Sequence, residues 1–202
     1  LVEEGGDPGR AGDAFTAAAA RLPADAAGRE LRKALLFRAA RIFQESGLAE
    51  LAEREYLAIL AIDPGDDVAL SGLEEVRKAL GKYEELIEML LARSEGAPPG
   101  RERARALAEI GRLYVDELDD PEQAVVAFTR ALCEDPTDDA YAAEIERLSG
   151  GRASTWTEQL DVIREALDAG GLPQGEASAL RARAARWYDA KLGRRDLALE
   201  AF

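Results

Sequence analysis

The chain has 202 residues, a formal net charge of −14, 47% apolar residues and 33% charged residues. Its longest apolar runs fall far short of the ~18 residues that a membrane-spanning helix needs, so the composition predicts a soluble chain. The acidic balance argues against nucleic acid and anionic membranes as main partners, because contacts to phosphate dominate those affinities, and it favours a basic partner instead.

The inventory of chemically reactive residues is small. The sequence has no histidine and a single cysteine, Cys133, which removes His-based catalytic triads, Cys-rich zinc sites and an internal disulfide. It also lacks the glycine-rich loops that bind phosphate groups. The acidic run over 116–122 lacks the spacing of a calcium-binding loop, and we interpret it as carboxylates that favour a helix N-terminus. We therefore predict no catalysis, no cofactor and no metal site within these residues, and a packing or surface role for Cys133.

A pair of one alanine and one aromatic residue, four residues apart, recurs along the chain. The pairs are Ala11 and Phe15, Ala52 and Tyr56, Ala124 and Phe128, and Ala198 and Phe202. A proline follows the aromatic residue by eight at Pro23, Pro64 and Pro136. Successive prolines, with Pro98 and Pro173 included, lie 34 to 41 residues apart. A period of this length predicts stacked helix hairpins.

Local signals predict where these helices begin and end, because proline suits the first turn of a helix and removes the preceding residue from helical geometry. The predicted starts are Asp7-Pro8 and Asp120-Pro121, with aspartate as the N-cap residue, and the predicted ends are Asp63-Pro64 and Asp135-Pro136. The stretch 81–86 resembles the turn between the two helices of a repeat hairpin. Thr155 followed by Glu158 predicts a capping box.

The fullest repeat lies in the middle of the chain. Its patterned residues are Leu107, Ile110, Gly111, Tyr114, Ala124, Phe128, Ala131 and Pro136. This pattern resembles the signature of the tetratricopeptide repeat, W-x2-L-G-x2-Y, then A-x3-F, then P. The resemblance covers nearly the whole chain and is weakest over 139–172, which has no alanine–aromatic pair and carries two glycine pairs, 150–151 and 170–171.

The resemblance implies an all-α, right-handed α-solenoid (superhelix) of stacked antiparallel helix hairpins. We expect about five to six repeats in a single domain, 1–202, that is incomplete at both ends. The approximate repeats are 1–26 (partial), 27–66, 67–100, 101–138, 139–172 and 173–202 (partial). The alternative is an irregular helical bundle in which the aromatic spacing is fortuitous.

Two sets of residues are expected to hold such hairpins together. Close helix crossings are predicted at Ala52, Ala124 and Ala198, where a larger side chain would overpack. The first helices of the repeats are predicted to project an aromatic ring toward the next repeat at Phe43, Tyr114 and Tyr188. On this basis truncation of Tyr114 to alanine is expected to cost roughly 3–5 kcal/mol.

One regularity indicates a binding surface. An arginine precedes the aromatic residue by two positions at Arg41, Arg112 and Arg186. In proteins that resemble this chain, that position faces the concave groove, so the resemblance implies a stripe of arginines there, with Lys78 as a further member. Arginine binds carboxylates through two parallel hydrogen bonds, which predicts an acidic peptide or a C-terminal carboxylate as ligand. The alternative is that each arginine pairs with a neighbouring glutamate such as Glu75 or Glu109.

These observations predict a non-enzymatic, cytoplasmic, bacterial scaffold that binds a peptide or helical segment of another protein in the concave groove. Two alternatives stay open. The chain is the regulatory or substrate-recruiting arm of a larger enzyme, or it is a self-assembly module whose uncapped ends stack into homo-oligomers.

Overall fold

A computed structural model describes residues 8–23 and 25–200, and these residues form eleven α-helices and no β-strand. The helices are α1 (Pro8–Ala20), α2 (Ala26–Glu45), α3 (Ala49–Ile62), α4 (Asp67–Leu80), α5 (Tyr83–Gly96), α6 (Arg101–Asp116), α7 (Pro121–Glu134), α8 (Asp139–Ser149), α9 (Ala153–Ala169), α10 (Gln174–Leu192) and α11 (Arg195–Glu200). The prediction of an all-α fold is confirmed. None of the described helices is both long enough and apolar enough to cross a membrane.

The chain separates into an N-terminal unit, Leu1–Leu86, and a C-terminal unit, Ile87–Phe202, with the boundary inside α5. In the N-terminal unit consecutive helices pack on one another, α1 on α2, α2 on α3 and α3 on α4. Phe43 and Ala52 are fully buried there, as the repeat pattern predicts. Ala11 is exposed and Phe15 half-buried, so the first alanine–aromatic pair does not enter the core. From α1 the core receives Ala19 instead.

In the C-terminal unit α6 packs on α7, α7 packs on α8 and α9, and α10 packs on α9 and α11. Ala124 is fully buried in α7, which agrees with its predicted place at a helix crossing. Tyr188 is 8% exposed and also agrees, but Tyr114 is half-buried and Ala198 is half-buried. Phe202, the aromatic partner of Ala198, lies outside the described residues.

Most predicted helix ends are confirmed. α3 ends one residue before Asp63, α7 ends one residue before Asp135, and α7 begins at Pro121. The Asp120 side chain accepts a hydrogen bond from the Gln123 backbone N–H at 3.0 Å, which is the geometry of an N-cap. Gly81 ends α4 in the left-handed region, with φ 67°, where glycine has no steric penalty. α1 begins at Pro8, while its predicted cap Asp7 lies outside the described residues.

The capping box predicted at Thr155 and Glu158 is wrong. α9 begins earlier, at Ala153, and Arg152 occupies the N-cap position without a side-chain hydrogen bond. Thr155 is therefore already inside the first helical turn, where its hydroxyl is not placed to cap the helix. The earlier start follows the Gly150–Gly151 pair, where Gly150 has a φ of 56°.

Candidate functional site

In the C-terminal unit, α10 contacts α8 through side-chain hydrogen bonds, and two arginines of α6 act electrostatically on α8. From α10, Arg183 Nη2 donates to Asp139 Oδ1 of α8 at 2.5 Å, and Trp187 Nε1 donates to Glu146 Oε1 at 2.8 Å. From α6, Arg105 and Arg112 lie close enough to α8 to act electrostatically on its Tyr141. We define the α6–α8–α10 face by Arg105, Arg112, Asp139, Tyr141, Arg183 and Arg186.

The surroundings of Tyr141 on this face raise the pKa of its phenol. Burial raises the pKa of its phenol, Asp138 and Asp135 raise it further, and Arg112 and Arg105 oppose the rise. The Tyr141 residue is 7% exposed, and none of the described residues hydrogen-bonds to its hydroxyl. The site therefore combines one phenolic hydrogen-bonding group with two nearby guanidinium groups.

Three arginines of the face are exposed and have no ion-pair partner among the described residues of this unit. No carboxylate of the described residues 87–200 lies within 4.0 Å of the guanidinium nitrogens of Arg105, Arg112 or Arg186. Glu109, one of the glutamates considered as a neutralising neighbour, lies 3.8 Å from Arg93. The charge of these three arginines is therefore not neutralised by a carboxylate of residues 87–200, although the chain carries 40 acidic and 26 basic residues.

The two predicted cations of the N-terminal unit have partners within their own helices. Arg41 in α2 is exposed and lies 3.4 Å from Glu45, and Lys78 in α4 lies 2.7 Å from Glu74. Glu75, the other glutamate considered, accepts a hydrogen bond from Gln44 at 2.9 Å. The structure therefore separates the four predicted residues into a paired set in the N-terminal unit and an unpaired set, Arg112 and Arg186, in the C-terminal unit.

Two arginines of the face, Arg105 and Arg183, were missed by the sequence reasoning, as were Asp139 and Tyr141. Arg105 stands seven residues before Arg112, so two helical turns place it on the same side of α6. Arg183 stands three residues before Arg186 and is likewise on its side of α10. Helical spacing alone identifies both arginines, because each lies on the same side of its helix as a predicted arginine.

Other chemistry is sparse in the part of the chain that the structure describes. No group of three or more histidine, cysteine, aspartate or glutamate side chains among those residues is arranged to hold a metal ion. Cys133 is a free, half-buried thiol near the end of α7. Burial, with a smaller contribution from Glu134, raises the pKa of Cys133 to about 12.

Comparison with known proteins gives no relative by sequence. No protein-family model matches the chain, and no curated protein matches it. One similar solved structure is YrrB, described as a TPR protein with an unusual peptide-binding site; it is 20% identical, the match covers 94% of this chain and 89% of that chain, and the TM-score is 0.42. Another comes from a functional characterisation of PilF from Pseudomonas aeruginosa, at 21% identity, 96% and 90% coverage and a TM-score of 0.41.

The interpretation of the fold rests on the helices of this chain itself, since both TM-scores are below 0.5. The central hairpin carries the contact that the repeat signature implies, with Gly111 of α6 against the ring of Phe128 of α7. α3 and α7 each end two residues before a predicted proline and bury Ala52 and Ala124, whereas Ala198 is half-buried. These features agree with the tetratricopeptide-like repeat that the sequence pattern predicts.

Proposed function

We propose that this chain is a protein-binding scaffold and that its α6–α8–α10 face holds an acidic segment of a partner protein. The observation that carries the proposal is the set of three exposed, unpaired arginines, Arg105, Arg112 and Arg186. In an acidic chain an arginine has many possible partners, so three open guanidinium groups, two on α6 and one on α10, favour a ligand that supplies the missing carboxylates.

The chemistry of the face favours a peptide over a nucleic acid. Guanidinium groups bind carboxylates in a planar, two-oxygen geometry, and the Tyr141 hydroxyl adds a further hydrogen-bonding group beside Arg105 and Arg112. A nucleic acid would have to approach a chain with a net charge of −14, which opposes its phosphates over the rest of the surface. In the tetratricopeptide resemblance this side of the repeat lines the concave groove, where a segment of a partner would lie.

Arg41 and Lys78 are proposed as further contacts for the same kind of ligand. Both engage an acid four residues away on the same helix, and both are well exposed. Exposed ion pairs such as Arg41–Glu45 contribute only ~0.3–0.5 kcal/mol, so a carboxylate from a partner can replace Glu45 at small cost. Glu74 is only 18% exposed, so a ligand is expected to approach Lys78 beside Glu74 and not to replace it.

The test compares two triple variants with equal charge change. The first replaces the unpaired arginines, Arg105→Gln, Arg112→Gln and Arg186→Gln. The control replaces three exposed arginines of the same unit that have an acidic partner, Arg147→Gln, Arg164→Gln and Arg195→Gln. Arg147 and Arg164 pair within their own helices, and Arg195 at the start of α11 pairs with Asp189 of α10. Circular dichroism first checks that both variants fold.

Binding is measured by fluorescence anisotropy with a fluorescein-labelled decapeptide that contains five glutamates, and with its glutamine counterpart. We expect the wild type and the control to bind the glutamate peptide, with affinity that falls as salt is added, and the first variant to lose at least about tenfold. Equal loss in both variants, or equal binding of the glutamine peptide, contradicts the proposal. Lysate pull-down with mass spectrometry then identifies the natural partner.

A further inference from the structure

The ion pair between Arg183 and Asp139 is unusually asymmetric. The Arg183 side chain is 15% exposed, whereas the Asp139 side chain is 87% exposed. Arg183 Nε is buried and has no hydrogen-bond partner. Among the described residues 87–200, Asp139 is the one carboxylate in ion-pair contact with this guanidinium. A nearly enclosed cation therefore depends on an anion that lies almost entirely in water.

Because of this asymmetry, Arg183 and Asp139 differ in how much each depends on the other. An enclosed guanidinium needs an anion, because removing the anion leaves a charge that water solvates poorly. Asp139 needs Arg183 much less, since its carboxylate is already hydrated. Asp139 also stands in the first turn of α8, where the helix dipole stabilises a carboxylate whether or not it contacts Arg183.

A second arginine, Arg186, also acts on the Asp139 carboxylate. Arg183 lowers the pKa of Asp139 by its hydrogen bond and its charge, and Arg186 lowers it further from the next helical turn. The other acid that faces Arg183 is Glu146, which is itself bound to Trp187 and lies 3.4 Å from Lys191. A carboxylate at the Asp139 position therefore meets two guanidinium groups, while Glu146 is already occupied.

We propose that Asp139 is an internal substitute for a ligand carboxylate, and that Arg183 forms a carboxylate subsite that opens when Asp139 turns into solvent. The inference rests on the proposed function and specifies its ligand, a carboxylate held between Arg183 and Arg186. That carboxylate comes from an aspartate or glutamate side chain, or from the C-terminus of a chain. Asp139 acts as a specificity residue because a ligand must bind better than the internal carboxylate to displace it.

The first experiment observes Arg183 directly and does not depend on any peptide. The Nε–Hε resonance of Arg183 is followed by NMR while sodium acetate is added at constant ionic strength. In Asp139→Asn the subsite has lost its internal anion, so the resonance is expected to shift with saturation. Glu144→Gln, which removes an ion-paired carboxylate from the same helix, is the matched control and is expected to show a clearly smaller shift. Asp139→Ser serves as a second variant in case the asparagine disturbs α8.

The second experiment uses two labelled decapeptides, one with five glutamates and an amidated C-terminus, and one with five glutamines and a free C-terminus. Asp139→Asn is expected to bind one of them about two- to fivefold more tightly than the wild type, the effect of removing one competing surface ion pair. The peptide that gains identifies the source of the carboxylate. The double variant Asp139→Asn, Arg183→Gln is expected to lose the gain.

The outcomes separate this inference from the proposed function. If the Arg183 resonance in both Asp139 variants does not respond to acetate, or responds no more than in Glu144→Gln, the subsite does not exist, even if the glutamate peptide binds. If the gain for Asp139→Asn persists without Arg183, it is a general charge effect and the inference is wrong. If Arg183 responds to acetate but no peptide binds, the subsite stands and the proposed function fails.

Discussion

The ring of Phe128 in α7 lies so close to Gly111 in α6 that a Cβ on Gly111 would stand 2.8 Å from its Cε2 atom. The ring fills the space that a side chain would take, so the two helices cross closely at this point. Gly72 against Tyr56 in the N-terminal unit has the same relationship, at 2.3 Å. Glycine at these two positions is therefore required for the close packing of the helices.

Gly111→Ala is expected to destabilise the chain by up to about 2 kcal/mol. Overpacking typically costs about 1–3 kcal/mol, and the better helix propensity of alanine offsets roughly 1 kcal/mol. Gly175→Ala is the control, because nothing lies within 4 Å of its added Cβ and α10 starts one residue before it. Urea unfolding measures both. A stabilised Gly111→Ala variant contradicts the packing argument, and Phe128→Leu in the same chain is expected to relieve part of the loss.

Burial separates two aromatic residues that the sequence treats as equivalent. Phe43 has no exposed surface, so Phe43→Ala is expected to cost about 3–5 kcal/mol. Tyr114 occupies the corresponding place in its repeat but is half-buried, so Tyr114→Ala is expected to cost roughly half as much or less. Thermal or urea unfolding of the two variants tests the order. If the two variants lose equal free energy of unfolding, Tyr114 contributes as much to the core as Phe43, as the sequence predicts.

Much of the fold can be predicted from the sequence, because neighbouring residues determine where several helices end. Asp63-Pro64 and Asp135-Pro136 end helices because the residue before proline is forced out of helical geometry, which needs no information from distant residues. The buried Ala52 and Ala124 follow from the same period. Where the period weakens, over 139–172, the core is built by a contact that no local pattern encodes. Trp156 is 1% exposed and its ring lies 5.1 Å from that of Trp187 in the following repeat.

The candidate site is harder to predict from the sequence, because its chemistry depends on which arginines form ion pairs in the folded chain and not on their positions in the repeat. Arg41 and Arg112 have the same place in the repeat pattern, yet Arg41 has Glu45 four residues ahead and Arg112 has no carboxylate partner among the described residues of its unit. Sequence spacing finds the arginines but not their ion pairs. Arg183 shows the same limit, because its burial and its contact with Asp139 join α8 and α10 across 44 residues.

Cys133 is expected to react slowly with thiol reagents. Burial raises the pKa of its thiol to about 12, so the reactive thiolate is rare at pH 8. We expect alkylation by iodoacetamide to be on the order of a hundred- to a thousandfold slower than that of free cysteine in the native chain. In 6 M guanidinium chloride the difference is expected to vanish, which serves as the control. A native rate within tenfold of free cysteine shows that the thiol is not enclosed.

Glu146 is expected to link the stability of the C-terminal unit to pH. The hydrogen bond from Trp187 lowers the pKa of this carboxylate, burial opposes the shift, and Lys191 lowers the pKa further. A carboxyl whose pKa is lower in the folded state stabilises the fold above its unfolded pKa, near 4.5. That contribution is lost as the pH falls through the folded value.

Glu146→Gln isolates this effect, because glutamine keeps an acceptor for Trp187 but carries no charge. Melting temperature and tryptophan fluorescence are measured from pH 7 to pH 3. The variant is expected to be less stable than the wild type at pH 7, and the difference is expected to shrink as the pH falls below about 4.5. In a Trp187→Phe background, which lacks the donor, the same substitution is expected to have a smaller pH dependence. A stability difference between the wild type and Glu146→Gln that stays constant over the whole range means that the carboxylate charge does not stabilise the α8–α10 contact.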